Sequence, residues 1–578
     1  MRFKLSALIF ASAAMAASGC VYDAPKETAV GDYLSGRLAA RTNDVNAAAS
    51  AFASAQDEAS GAGDILRDAF FFQLAAGNID EAAPLAAKLA VMEGGDDGLA
   101  RFVLAAQAIK TGRYKKARDY LSEGVEARYF SAATKILDAW ALAGLEGPDA
   151  GYELLDEASG ETFRGFNPLH KALLADKAGR AEEARAAYQL SVMTLGGPVG
   201  RSAYGAFLER AGDETAAREY YEVLAQNPGP ARQTARQGLA HIAAGTASRA
   251  YADTTPAQGG AIAVYSLGAG MLEESANQRD AAIRAGFRVG TLNYNLPLIM
   301  TQLALYLDPD FDDALRFGGA ILNVYGDHEG AIDMLSRIPS SSAYYEQAQI
   351  DIAAGLSALD RDDKAIAVLQ SVARRDDKAL EARWSLANLY AAEEHYKEAV
   401  KTLDELIARL PAAPDSDAWR FYVSRAAALM ELDNWPRAEK DLQRAVEIAP
   451  EQPTALNYLG YSWAERGEHL KEAFDLIEKA VALQPDSGAI IDSLGWAHYQ
   501  LGAYDDAVGH LEQAASIEAG DPTITDHLGD VYWRLGRKIE ARYQWKRVLE
   551  LEPNDKVRAS VETKLANGLA DTDDDANE

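Results

Sequence analysis

The residues able to do chemistry are scattered rather than assembled. The eight histidines stand in no H-E-x-x-H or comparable ligand spacing. Asp308-Pro309-Asp310-Phe311-Asp312 opens like a calcium loop. Its sixth position is Asp313 where a glycine must turn the chain, and its twelfth is Gly319 where a carboxylate must close the shell, so it reads as a turn. Gly268-Ala269-Gly270 begins a dinucleotide fingerprint, but Glu273 fills the third glycine position and no strand pattern precedes it. Carboxylate pairs are numerous because 87 residues are acidic, and such pairs fall by chance on solvated helix faces. Neither a phosphate-cradling loop nor a nucleophile elbow occurs. The expectation is a protein that is not an enzyme and that uses no cofactor and no metal. A net charge of −30 argues against nucleic acid as partner and against general docking on anionic lipid.

What the chain does carry is a ruler. Leu459-Gly460, Leu494-Gly495 and Leu528-Gly529 recur at steps of 35 and 34 residues, and Ala473, Ala507 and Ala541 follow at steps of 34 and 34. The small residues fall where two helix backbones must approach, bulky residues at helical spacing fill the seam, and Pro485 or Pro553 stops the second helix. The pattern resembles the tetratricopeptide repeat. One such hairpin cannot bury its apolar face, so neighbours must stack. The fold expected is all-α, a tetratricopeptide (TPR) α-solenoid superhelix in two halves.

In chain order, residues 1–19 form a signal peptide and 20–28 a tether. Residues 29–244 form an N-terminal solenoid of six repeats with a capping helix over Ala231–Ala244. Turn glycines Gly77, Gly112, Gly179 and Gly212 each stand five residues before an alanine of the second helix. Residues 245–260, with Thr, Ser, Ala, Pro256 and three glycines in no helical period, read as a linker or hinge. Residues 261–570 form the C-terminal solenoid. It opens on an atypical unit with a first helix over Ala261–Glu274, an insertion around Asn277–Leu292 and a second helix starting near Asn295, which leaves Pro297 in its first turn. Regular units begin near Asp312, Glu346, Leu380 and Trp419, for about fourteen in all. Lys556–Leu569 closes the array, and 571–578 is an acidic tail.

The only cysteine is Cys20. Arg2 and Lys4 precede an apolar run from Leu5 to Met15, too short to remain as a membrane-spanning helix, and Ala17-Ser18-Gly19 stands directly before the thiol. This resembles the lipobox of bacterial lipoproteins, which implies removal of the signal and lipidation of Cys20. Val21 rather than aspartate follows, which by the same resemblance implies the outer membrane, periplasmic face. Ala17 stands where lipoboxes prefer leucine, and Ala14-Met15-Ala16 offers an ordinary cleavage site that would leave a soluble periplasmic protein.

Transferring the groove-facing positions of tetratricopeptide arrays onto the last three repeats gives Asn457 and Tyr461, then Asp492, Trp496 and Tyr499, then Asp526, Asp530 and Trp533. Aromatics with polar tips make good anchors for a partner segment, and they serve equally well as packing between repeats. Asp492 and Asp526 would repel an incoming terminal carboxylate, so a basic or neutral segment is the expected ligand. The layout of lipobox and chain-long array, with Leu456-Asn457-Tyr458-Leu459-Gly460-Tyr461, Asp492-Ser493-Leu494-Gly495-Trp496 and Asp526-His527-Leu528-Gly529, resembles a family of large proteobacterial outer-membrane lipoproteins. That resemblance implies an adaptor that brings a periplasmic carboxyl-terminal processing protease to peptidoglycan hydrolases. The alternatives are an assembly factor for outer-membrane, pilus or secretion machinery, and a cell-wall glycan-binding module.

Overall fold

The computed structural model describes residues 29–58, 63–92, 98–122, 130–157, 167–194, 197–227, 229–284 and 292–570, and the expected signal, Cys20, tether and acidic tail lie outside them. The regular structure of the described residues is helical throughout, with thirty α-helices in sequence. The chain divides into two compact units, one up to Ile338 and one from Pro339.

In the first unit six hairpins run α1 (Ala29–Arg41) with α2 (Val45–Glu58), α3 (Gly63–Ala75) with α4 (Ile79–Leu89), α5 (Gly98–Lys110) with α6 (Tyr114–Ser122), α7 (Phe130–Glu146) with α8 (Pro148–Glu157), α9 (Asn167–Lys177) with α10 (Ala181–Thr194), and α11 (Pro198–Arg210) with α12 (Glu214–Leu224). They are the six expected repeats. The turn glycines Gly77 and Gly179 have φ of +82° and +75°, a left-handed conformation that joins two helices at little cost only without a side chain. Helix α13 (Pro230–Ala244) follows and packs on α11 and α12, where the capping helix was expected.

The segment beyond α13 departs from expectation. Residues 245–260 are not a free connection: Arg210 donates to the carbonyls of Ser248 and Ala250, and the Ser248 amide donates to Glu209. From Pro256 the chain is already in α14 (Pro256–Arg284), which absorbs part of the expected insertion, and α15 (Asn295–Leu307) follows where the second helix was placed. Together α14 and α15 form a hairpin that packs on α3, α5, α7 and α9, the first helices of four repeats. Nine of the thirteen residues of α15 are buried, among them Leu298, Ile299, Met300 and Leu303. Each such aliphatic side chain contributes about 1.5–3 kcal/mol when fully buried, so this hairpin belongs to the core of the first unit. Tyr306 donates to Asp80 and Lys110 donates to the Leu307 carbonyl, fixing its far end. The compact division accordingly falls after α16 (Asp312–Tyr325) and α17 (His328–Leu335), not at the Gly-rich stretch.

The second unit holds α18 (Tyr345–Ala358) with α19 (Asp362–Arg375), α20 (Leu380–Ala392) with α21 (Tyr396–Ile407), α22 (Trp419–Glu431) with α23 (Trp435–Ile448), α24 (Pro453–Arg466) with α25 (Leu470–Leu483), α26 (Gly488–Gln500) with α27 (Tyr504–Ile517), α28 (Pro522–Arg534) with α29 (Lys538–Glu550), and the closing α30 (Asp555–Asn567). The ruler is physical: a Cβ on Gly460, Gly495 or Gly529 would lie within 2.6–2.7 Å of Ile477, Leu511 or Trp545 of the paired helix. Ala473, Ala507 and Ala541 are fully buried opposite them. Proline opens α24 and α28 at the position where its missing N–H is not needed, and Asp521 caps α28 by accepting from the Thr523 and Ile524 amides.

Candidate functional site

The eight residues placed on the groove lie on α24, α26 and α28, consecutive first helices in mutual contact. The three carboxylates among them are engaged within the chain. Asp492, buried on α26, meets His527 Nδ1 of α28 at 3.0 Å. Asp526 and Asp530, one turn apart on α28, both receive Lys564 Nζ of α30, at 2.8 and 2.7 Å. Asp530 also accepts Trp545 Nε1 at 2.9 Å. The sequence led to the expectation of a basic or neutral partner segment at these acids; the base at Asp526 and Asp530 is the chain's own Lys564. Asp492→Lys or Asp526→Lys would therefore strip His527 or Lys564 of its partner before touching any ligand.

The aromatics form a ladder. Trp496 stacks with Tyr499 at 4.5 Å and 7° and with His527 at 4.0 Å and 15°, and Tyr461 of α24 lies tilted at 6.4 Å from His527. Trp496 is thus committed to ring contacts within the chain. Arg534 donates to the Tyr499 hydroxyl at 3.2 Å. Trp533 stands apart, packed at 5.3 Å from Trp545 and roofed by the end of α30, where a Cβ on Gly568 would lie 2.0 Å from its ring. Tyr461, Asn457, Trp496 and Tyr499 remain half-buried along the face. Two polar atoms among them, Asn457 Oδ1 and Trp496 Nε1, are buried without a hydrogen-bond partner.

Electrostatics follow burial. Burial, then Glu465, Asp492 and Asp526, push the Tyr461 hydroxyl up, so it stays protonated as a donor. Burial raises Asp530 against the pull of Lys564. Burial works to lower His527, but the charge of Asp492 and its hydrogen bond outweigh it and hold the imidazole above its ordinary value. A group raised on folding adds stability that is complete below its unfolded value near 6.5 and disappears as pH climbs through the folded one. His527→Gln should accordingly cost most melting temperature near pH 6 and progressively less toward pH 9. A pH-independent difference would show that the imidazole is not charged in the ladder.

His527 and Lys564 were not singled out by the repeat register. His527 lies one residue before the marker Leu528, and Lys564 meets Asp526 across 38 residues, from a helix assigned only a solvating role. The expected calcium-like stretch is the turn from α15 to α16, and among the described residues no group of three or more His, Cys, Asp or Glu could hold a metal ion. No helix of the described residues is long and apolar enough to cross a membrane.

In sequence, residues 423–488 and 488–517 match models of the tetratricopeptide repeat. The chain is similar to the TPR repeat-containing protein PA4667 of Pseudomonas aeruginosa, 46% identical over 76 residues, 13% of each chain. It is similar to Protein O-mannosyl-transferase Tmtc1 of Drosophila melanogaster, 31% identical over 137 residues, 22% of this chain and 16% of that one. The chain thus spans only 13% and 16% of the length of these relatives. Among solved structures, the Cut9–Hcn1 hetero-tetramer of APC/C is matched over 93% of this chain and 96% of that one, at 17% identity and a TM-score of 0.37. YrrB, described as a TPR protein with an unusual peptide-binding site, is matched over 30% of this chain and 86% of that one, at 23% identity and a TM-score of 0.25. The chain is an all-α array of stacked helical hairpins that carries tetratricopeptide repeats, the class of module that binds other proteins.

Proposed function

We propose that the chain is a non-enzymatic scaffold of the bacterial envelope, tethered by lipid at Cys20 to the periplasmic face of the outer membrane. Its C-terminal unit takes a protein partner on the face of α24, α26 and α28. The observation that carries this reading is the contrast between the units: α14 and α15 cover the first-helix face of the first unit, whereas α24 and α26 keep Asn457, Tyr461, Trp496 and Tyr499 half-buried at theirs. Tethering two clients on one array raises their local concentration without any new chemistry. The clients proposed are a carboxyl-terminal processing protease and the peptidoglycan hydrolase it degrades.

Affinity isolation of the chain from envelope extracts tests the reading. A protease recovered with a hydrolase supports it. Secretion or pilus subunits would replace it with an assembly role, and cell-wall fragments with a glycan-binding one. The tether is tested separately, since Cys20→Ala should abolish incorporation of radiolabelled palmitate, and label retained by that variant would remove lipidation at Cys20 from the account.

A further inference from the structure

A chain of net charge −30 is poorly suited to anionic lipid, yet one exposed helix face departs from that average. Helix α1 exposes Val30, Leu34 and Leu38 at 68%, 62% and 65%. Spaced by four residues, they form one stripe along the helix. The only carboxylate of α1, Asp32, is buried and accepts from Ser54 Oγ at 2.6 Å. The exposed side instead carries Arg37 and Arg41, and Arg37 reaches Asp68 only at 3.7 Å. Meanwhile the inner side of α1 is committed to α2, where Gly36 admits the Phe52 ring. An aliphatic stripe flanked by arginines is the pattern of a helix lying in a lipid interface.

We propose that α1 is a second membrane contact, with Val30, Leu34 and Leu38 entering the interface of an anionic bilayer and Arg37 and Arg41 meeting the lipid phosphates. The proposal rests on the envelope tether above and deepens it. Residues 21–28 between Cys20 and α1 span about 28 Å at most, so a lipidated Cys20 holds this helix at the bilayer surface. A second copy of the chain fits the stripe less well, because a two-fold contact would bring Arg37 and Arg41 toward their own copies with no exposed carboxylate on the helix to receive them.

The test uses the full chain carrying Cys20→Ala, so that lipid at that position plays no part. It is mixed with vesicles of phosphatidylcholine alone or of equal parts phosphatidylcholine and phosphatidylglycerol. Flotation at low salt should recover it with the anionic vesicles. Leu34→Asp with Leu38→Asp, both at exposed positions, should weaken that binding at least about ten-fold while the helical circular dichroism is unchanged. Arg37→Glu with Arg41→Glu should abolish the preference for the anionic lipid. Equal binding by the leucine double variant would overturn the proposal, as would a dimer in light scattering that this variant dissociates. Failure of the tether reads out elsewhere, as absence of radiolabelled palmitate at Cys20 in cells, and leaves the vesicle result to judge α1.

Discussion

Gly259→Val should detach the α14–α15 hairpin from the first unit. A Cβ at this position would lie 2.1 Å from the Trp140 ring, well inside contact distance. Trp140 cannot yield, because it is fully buried and its Nε1 donates at 3.0 Å to Nδ1 of buried His170. Burial drives His170 down to about 3, which keeps that nitrogen free to accept at any pH near neutral. Gly260 beside it has Leu137 and Leu307 just over 3 Å from its own Cβ site, so the helix cannot slide aside either. Overpacking of a dense core costs about 1–3 kcal/mol where neighbours can move, and about 3 kcal/mol or more is expected here. The readout is hydrogen exchange and limited proteolysis of residues 256–307 in the full chain. Rapid exchange throughout α15 is the expected result, and the added substitution Trp140→Leu should restore part of the protection by vacating the ring's space. Native protection in the single variant would mean that α14 does not pack on Trp140.

The second large effect is expected at Lys564→Met. Lys564 pairs with both Asp526 and Asp530, with all three side chains at most 15% exposed. Removing one partner of a buried ion pair leaves uncompensated charge and costs about 3–5 kcal/mol, more than the pair itself contributes. Among the residues of α30 only Val561 is fully buried, so the helix has little apolar area to hold it once the lysine is gone. Exchange protection of α30 and of the Trp533 region should collapse at pH 7. It should return in part as pH falls and the carboxylates take up protons. Adding Asp530→Asn should have the same effect, since a carboxamide oxygen at this position can still accept from Trp545 while carrying no charge. An unaltered α30 in the single variant would show that its apolar contacts suffice.

These two sites mark where the sequence was legible and where it was not. The hairpin register could be read because Gly460, Gly495 and Gly529 repeat one steric demand at a fixed interval, and upstream of them α16, α18, α20 and α22 begin within a residue of Asp312, Glu346, Leu380 and Trp419. Gly259 and Gly260 meet the same demand only once. Without a period, glycine as a point of close approach cannot be told from glycine as a flexible joint, and the first turn of a docked helix, from Pro256, was read as the end of a linker. The eight groove candidates fall on α24, α26 and α28, but their condition was not legible. Which acids are already neutralised depends on Lys564, 38 residues away on another element, and which rings are already stacked depends on His527, whose type does not distinguish a ladder rung from a surface residue.

Partner capture itself is best examined by hydrogen exchange on the full chain, alone and with the protein that co-purifies from envelope extract. Exchange should slow along α24, α26 and α28, at Tyr461 and Trp496 above all, while α3, α5 and α7 beneath the hairpin stay unchanged. Slowing confined to the first unit, or none in the second, would contradict a scaffold that works through this face.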